Sequence, residues 1–306
     1  MILITEFMDE SAVERLRASH AVAYEPDLAD RQDEIASRMG NVRALIVRNR
    51  TRVTPALLDA APDLACVGRL GVGLDNIDTH ACAARGVTVY PATGANNLSV
   101  AEYVITAALV LLRGAWFANA AMLAGDWPRQ ACAGREASGR TLGLVGYGGI
   151  ARDTAARAHA LGMKVIASDP FVTASGDATR IVALDEVLSS SDVVSLHVPL
   201  TDETRHLIDA GAIAHMRADA VLVNAARGGV VDEHALASAL REGRLAGAAL
   251  DVFETEPLTA DGAAHLRDVP NLILTPHVAG VTVESNERVS HLIADRVLAH
   301  LDEAAR

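Results

Sequence analysis

Short apolar runs at residues 2–4, 21–24, 44–47, 65–67 and 87–90 alternate with stretches whose apolar positions recur at helical spacing. Strand-helix alternation of this kind predicts an open, mostly parallel sheet. A second series follows at residues 141–145, 164–167, 193–196, 220–223, 246–250 and 272–274, so the chain predicts two α/β sheets in succession. Between them lie the loop 91–97, with its Pro, Gly and paired Asn, and a long apolar helix near residues 99–121. The first domain crossing is placed there. After Pro276, residues 284–301 carry Val289, Leu292, Ile293, Val297 and Leu301 at helical spacing, a terminal helix that could pack on either sheet. The most apolar window, 101–112, contains Glu102 and Tyr103 and falls short of the roughly 20 residues that span a bilayer. It reads as a buried helix.

Composition narrows the partners. A formal charge of −12, from 27 basic and 39 acidic residues, argues against a nucleic-acid or anionic-membrane surface, so any anionic ligand must be held locally. Lys164 is the one lysine, so a cation that meets a substrate is expected to be an arginine, whose planar fork suits carboxylate, phosphate or sulfonate oxygens. Cys66, Cys82 and Cys132 stand far apart without metal-ligand spacing. Each reads as a small buried apolar residue, no metal is expected, and a reducing cytoplasm fits. The start of the chain has a strand-then-helix pattern with early acids rather than the pattern of a signal peptide.

The strand at 141–145 runs into Gly146-Tyr-Gly148-Gly149-Ile150-Ala151, a GxGxxA sequence followed by a helical pattern from Arg152. In that context Gly146 permits a tight turn, and Gly148 lets the backbone approach a pyrophosphate at the helix N-terminus. Ala151 meets the third position's need for close helix-strand packing. Asp169 ends the next strand, where an acid bonds the adenosine ribose and repels a 2′-phosphate, favouring NAD over NADP. The plain alternative is that Asp169 only caps a turn before Pro170.

Three further blocks end strands: Asn224-Ala225-Ala226-Arg227, Asp251-Val-Phe-Glu254-Thr-Glu256-Pro257 and Thr275-Pro276-His277-Val-Ala-Gly280. Polar groups just past the carboxyl ends of parallel strands are where open α/β sheets place ligands. Together with Gly71-Val72-Gly73-Leu-Asp75-Asn76 and Asn96-Asn-Leu-Ser-Val-Ala-Glu102, these blocks resemble the D-isomer-specific 2-hydroxyacid dehydrogenases, the family of phosphoglycerate dehydrogenase, over nearly the whole chain. The resemblance implies an α/β fold of two doubly wound parallel-sheet domains. A Rossmann nucleotide-binding domain, 98–280, is inserted in a flavodoxin-like substrate domain, 1–97 and 281–306. It implies NAD as cofactor and a reversible hydride transfer between NAD(H) and a 2-hydroxy or 2-keto acid.

Carried over residue by residue, the family's substrate arginine falls on Arg227, its histidine-orienting acid on Glu256 and its acid/base on His277. An imidazolium can supply the proton for a new hydroxyl near neutral pH, and a neighbouring carboxylate would favour the charged ring and fix its tautomer. Arg227 would pair with the substrate carboxylate. Val198, Ala225 to Arg227, Asp251 and His277 to Gly280 are expected to line the cofactor with Gly146, Gly148, Gly149, Ile150 and Asp169. Gly71, Val72, Gly73 and Asn96 are expected at the substrate carboxylate.

Arg48, Arg50 and Arg52 would share one face if residues 47–52 are extended, and Arg69 ends the neighbouring strand. The resemblance implies that Arg48, Arg50 and Arg69 bind a second anionic group, as in 3-phosphoglycerate or sulfolactate. Glu6-Phe-Met-Asp and Arg48-Asn-Arg-Thr also look like bacterial sulfolactate dehydrogenases of the family. The plain alternative is surface arginines paired with acids such as Asp59 or Asp63. Residues 116–127 resemble the arm through which relatives form homodimers, with ordinary core packing as the alternative. Other readings are a glyoxylate/hydroxypyruvate reductase or an NAD-sensing, corepressor-like binding protein. The latter branch usually carries extra tails, which are not expected here. Formate enzymes carry Gln at the position of Glu256, and phosphite enzymes a Lys within the loop matching Gly71 to Gly73.

Overall fold

A computed structural model describes residues 1–303 of the chain. The chain divides into two compact units, Met1–Asn96 with Val281–Arg306, and Asn97–Gly280. In the first, β1 (Ile2–Ile4), β2 (Val22–Tyr24), β3 (Ala44–Val47), β4 (Cys66–Arg69) and β5 (Thr88–Pro91) form a five-stranded parallel sheet in the order β2-β1-β3-β4-β5. This is the flavodoxin-like order, whose direction reverses between β1 and β3.

The second unit holds β6 (Thr141–Val145), β7 (Lys164–Ser168), β8 (Arg180–Ile181), β9 (Val193–Leu196), β10 (Val221–Asn224), β11 (Gly247–Leu250) and β12 (Leu272–Leu274). All are parallel, in the order β12-β11-β10-β9-β6-β7-β8. Counted from β6 this is the Rossmann order with one strand added, and it reverses between β6 and β9. Strands β9, β10 and β11 are buried along their whole length, as a sheet covered on both faces requires. Apolar clusters fill both faces of each sheet.

The terminal helix, Val283–Glu303, packs on the first sheet. A Cβ on Gly68 of β4 would lie 2.6 Å from Ile293 Cγ2, so glycine is what lets the helix come this close. The long helix expected near 99–121 is broken: Asn97–Arg113 ends at Gly114, whose φ of 63° is left-handed, and a 3-10 turn and the short helix Asn119–Leu123 follow. Trp116, Leu123 and Trp127 are 59%, 91% and 77% exposed, which removes the core-packing account of this segment. No single helix among the described residues is long and apolar enough to cross a membrane.

Three other expectations need correction. β3 stops at Val47, so Arg48, Arg50 and Arg52 do not share a strand face; the chain bends there around a buried carboxylate described below. The two-residue edge strand β8 was not expected, being too short to show a period of two. Cys66 and Cys82 are buried and burial pushes the Cys66 thiol up to about 12, but Cys132 is only half-buried.

Candidate functional site

In the second unit the candidate residues gather at the strand ends. Gly146 leaves β6 with φ 91°, and a Cβ there would lie 2.6 Å from the His197 carbonyl oxygen beyond β9. Glycine is therefore required on both conformational and steric grounds. Gly148 and Gly149 are exposed at the start of the helix Gly149–Ala160, and a Cβ on Gly148 would meet nothing within 4 Å. The helix N-terminus thus opens onto free space in which an anion can approach backbone N–H groups. Ala151 is fully buried beneath it and Ile150 half-buried.

Asp169, past β7, is half-buried; one oxygen accepts from the Tyr147 N–H and the other from the Phe171 N–H, both at 2.8 Å. The turn-capping account is therefore correct as far as it goes. Each carboxylate oxygen still has a lone pair for a ribose hydroxyl, so the two roles are compatible. The donor set and open cradle fit a dinucleotide. Val198 lines the same turn, since a Cβ on Gly146 would also lie 3.1 Å from Val198 Cγ1. Burial pulls His197 down to about 4, and its ring meets Ser195 Oγ at 3.0 Å.

At the ends of β10, β11 and β12, Arg227, Glu256 and His277 come together. Asn224 closes the first loop: its amide donates to the Arg227 carbonyl at 3.0 Å, and its oxygen accepts from the Ala226 N–H at 3.1 Å. Gly228 sits so close to Phe253 that a Cβ would lie 1.7 Å from its carbonyl oxygen. The second loop turns back so that Glu256 Oε1 accepts the Phe253 N–H at 3.0 Å, while Oε2 lies 2.7 Å from His277 Nδ1. Burial raises the Glu256 pKa, but the His277 hydrogen bond and charge, the Phe253 N–H and the charge of Arg227 outweigh it. The net direction is down.

His277 has a left-handed φ of 54°, and its N–H donates to the Asp251 carbonyl at 2.8 Å. The buried Asp251 carboxylate accepts from Thr275 Oγ1, from the Val278 N–H at 2.9 Å and from the Ala279 N–H at 2.8 Å. Asp251 thus holds the loop running from His277 to Gly280, in addition to any contact with a nicotinamide.

In the first unit a residue without an assigned role organises the loop after β3. Glu6, 2% exposed at the end of β1, accepts from the N–H groups of Arg48, Asn49, Arg50 and Thr51 at 2.8 to 3.3 Å. Burial pushes its pKa up, and the hydrogen bonds to Thr51, Arg48 and Arg50 more than reverse this. A lone acid immediately after the first apolar run was the available signal. The Arg48 guanidinium donates to Asn286 at 2.8 Å, while Arg50 pairs with Asp30 and lies 3.6 Å from Glu6. Asp59 instead pairs with Arg85.

Arg69 curls back over its own loop, donating to the Leu70 carbonyl at 3.1 Å and covering Gly71, where a Cβ would lie 1.5 Å from its Nη1. Val72 and Gly73 are half-buried in that loop, and the side-chain oxygen of Asn96 is buried without a hydrogen-bond partner.

Residues 105–279 match the family model described as D-isomer specific 2-hydroxyacid dehydrogenase, NAD binding domain. The chain is 55% identical over 97% of its length, and 96% of the relative's, to a protein of Chromohalobacter salexigens named (S)-sulfolactate dehydrogenase. It is 37% identical over 97% of its length to a D-3-phosphoglycerate dehydrogenase of Archaeoglobus fulgidus, of which it spans only 56%. A crystal structure of Aquifex aeolicus D-lactate dehydrogenase complexed with NAD and lactic acid superposes with a TM-score of 0.87 at 29% identity, covering 99% of this chain and 96% of that one. The chain belongs to the D-isomer specific 2-hydroxyacid dehydrogenase family, a family of NAD-binding oxidoreductases.

Proposed function

We propose that the protein interconverts a 2-hydroxy acid carrying a second anionic group and the corresponding 2-keto acid, with (S)-sulfolactate the best-supported substrate. The observation that carries the chemistry is the His277–Glu256 contact, 2.7 Å long and within the electrostatic reach of Arg227. With Nδ1 engaged by Glu256, Nε2 is the nitrogen that exchanges a proton with the substrate oxygen. It donates to the forming hydroxyl in reduction and accepts from it in oxidation. Glu256 fixes the tautomer and stabilises the charged ring. Arg227 pairs with the 2-carboxylate and draws charge toward the keto oxygen. In the first unit Gly71, Val72, Gly73 and Asn96 are assigned to binding substrate.

Gly146, Gly148, Gly149, Ile150, Asp169, Val198, Ala225, Ala226, Asp251 and Gly280 hold the cofactor. NAD supplies the hydride acceptor or donor when bound. Asp169 selects it over NADP by accepting from the ribose and repelling a 2′-phosphate.

For the second anion, Arg48 is the strongest of the three arginines, because its guanidinium is half-buried and its charge is opposed only at a distance by Glu6. Arg50 is already shared between Asp30 and Glu6. The 55% identity to a sulfolactate dehydrogenase favours a sulfonate over a phosphate. The test is to offer 3-sulfopyruvate, 3-phosphohydroxypyruvate, pyruvate and hydroxypyruvate with NADH. Sulfopyruvate is expected to be reduced with the highest kcat/KM, and equal use of pyruvate defeats the second-anion reading.

The exposed Trp116, Leu123 and Trp127 support self-association as a homodimer, which sedimentation would detect. The free thiols, two of them buried, fit a reducing cytoplasm.

A further inference from the structure

We propose that Glu233 is a positioning residue for the Glu256–His277 pair and acts through the peptide joining Phe253 and Glu254; the proposal rests on the acid-base reading above. Glu233 opens the helix Glu233–Arg241, yet its side chain is only 6% exposed and does not cap that helix. Asp232 does so, accepting from the Ala235 N–H at 2.9 Å. The Glu233 carboxylate instead reaches sideways: Oε1 accepts the Glu254 N–H at 2.7 Å, and Oε2 meets His265 Nε2 at 3.1 Å. A buried carboxylic group is costly unless its oxygens are bonded, and here one is bonded to this turn and the other to His265.

What the turn carries explains why. The N–H groups of Phe253 and Glu254 are consecutive, and each goes to a carboxylate, the first to Glu256 at 3.0 Å and the second to Glu233. The peptide between the two residues is blocked on its other side, because the Phe253 carbonyl presses on Gly228 of the Arg227 loop. Rotating that peptide either breaks the bond to Glu233 or collides with Gly228. Its orientation sets ψ of Phe253 and φ of Glu254, and therefore where Glu256 returns to meet the Phe253 N–H and His277.

The other groups around the turn hold the same arrangement. The His265 ring stacks on His234, with centroids 4.2 Å apart and planes at 25°, which steadies the second partner of Glu233. The Glu254 carboxylate points to His206 at 3.1 Å and leaves its N–H to Glu233. Glu233 thus touches neither Glu256 nor His277, but it fixes the backbone from which Glu256 is aimed.

The experiment compares Glu233→Ala, Glu233→Gln, His265→Ala and Glu256→Gln in the full chain. It measures the pH profile of hydroxy-acid oxidation, NADH affinity and Tm. In Glu233→Ala, kcat is expected to fall by about 10 to 100-fold, as misaimed catalytic groups produce. The acid limb should move toward its position in Glu256→Gln, with NADH affinity within about twofold of the unaltered protein. Glu233→Gln keeps an oxygen for the Glu254 N–H and should recover most of the activity and the original limb.

His265→Ala removes only the outer partner and should move the limb the same way by less, which carries the test if Glu233→Ala does not fold. Folded Glu233→Ala or His265→Ala protein with an unmoved limb and only a lowered Tm overturns the proposal. An unmoved limb in Glu256→Gln rejects the acid-base reading itself and takes the proposal with it.

Discussion

His277 Nδ1 lies 2.7 Å from Glu256 Oε2, while the other oxygen of that carboxylate accepts the Phe253 N–H at 3.0 Å. The two bonds hold the carboxylate from opposite sides, so the imidazole is aimed by a group that is itself anchored in the backbone. His277 has a left-handed φ of 54°, and its N–H donates to the Asp251 carbonyl at 2.8 Å, which anchors the backbone that carries the ring. General acid-base catalysis requires this kind of fixed geometry.

Replacing His277 with Ala is expected to lower turnover by at least ~10²-fold, the usual lower bound for losing a general acid-base group. NADH affinity should hardly change, because Gly146, Gly148, Gly149 and Asp169, proposed to hold the pyrophosphate and adenosine ribose, lie past β6 and β7, away from the His277 loop. Steady-state kinetics together with NADH fluorescence titration would separate the two effects, and near-normal turnover would reject the assignment.

Glu256→Gln should be milder and should act through pH. The carboxylate pKa is lowered in the folded protein despite burial, so its bonds stabilise the native state above the ordinary carboxylate range and are lost as pH falls through the lowered value. Near neutrality the carboxylate is charged and favours the protonated ring. Taking that charge away shifts proton loss from the ring to lower pH. The acid limb for hydroxy-acid oxidation, which needs a neutral ring, should therefore move down. A profile identical to that of the unaltered protein would mean that Glu256 does not tune the pair.

NAD(H) should exceed NADP(H) in catalytic efficiency by well over ~10-fold if Asp169 accepts from the adenosine ribose as proposed, since a 2′-phosphate would bring a second negative charge against it. Asp169 also accepts the Tyr147 and Phe171 N–H groups, so Asp169→Ala should cost some thermal stability as well as eroding the cofactor preference. Equal use of both cofactors before substitution would defeat the prediction.

The sheet strands were largely legible in the sequence because buried parallel strands are nearly continuous apolar runs; Gly146 and Asp169 directly follow the strands at 141–145 and 164–168, and His277 follows the run at 272–274 after two residues. What escaped reading depends on contacts distant in sequence. Glu6 binds N–H groups more than forty positions away, and Glu233 reaches Glu254 and His265 from the start of a helix. Glu6 left only its place after the first apolar run as a signal, and Glu233 left no period or spacing to detect. Residues 48–52 show the converse error: alternating arginines suggested an extended face, but four N–H groups drawn to one carboxylate bend the chain instead.

That bend decides how the arginines differ. Arg50 is held by Asp30 and by Glu6, whose carboxylate lies 3.6 Å from its Nε, so a substrate anion would have to compete with two carboxylates for it. Arg48 donates to the neutral Asn286 at 2.8 Å and sits where burial lowers its pKa and the more distant Glu6 charge only partly compensates. An arginine in this state gains more from a new anion than one already paired. Arg48→Ala should therefore lose about 1.5 to 3 kcal/mol on 3-sulfopyruvate, or ~10 to 150-fold in kcat/KM, with little change on pyruvate. Arg50→Ala should lose clearly less on the same dianion. Measuring both variants on sulfopyruvate, phosphohydroxypyruvate, pyruvate and hydroxypyruvate tests the ranking as well as the site. Equal losses on all four acids would show that the arginines support the loop after β3 rather than a second anionic group.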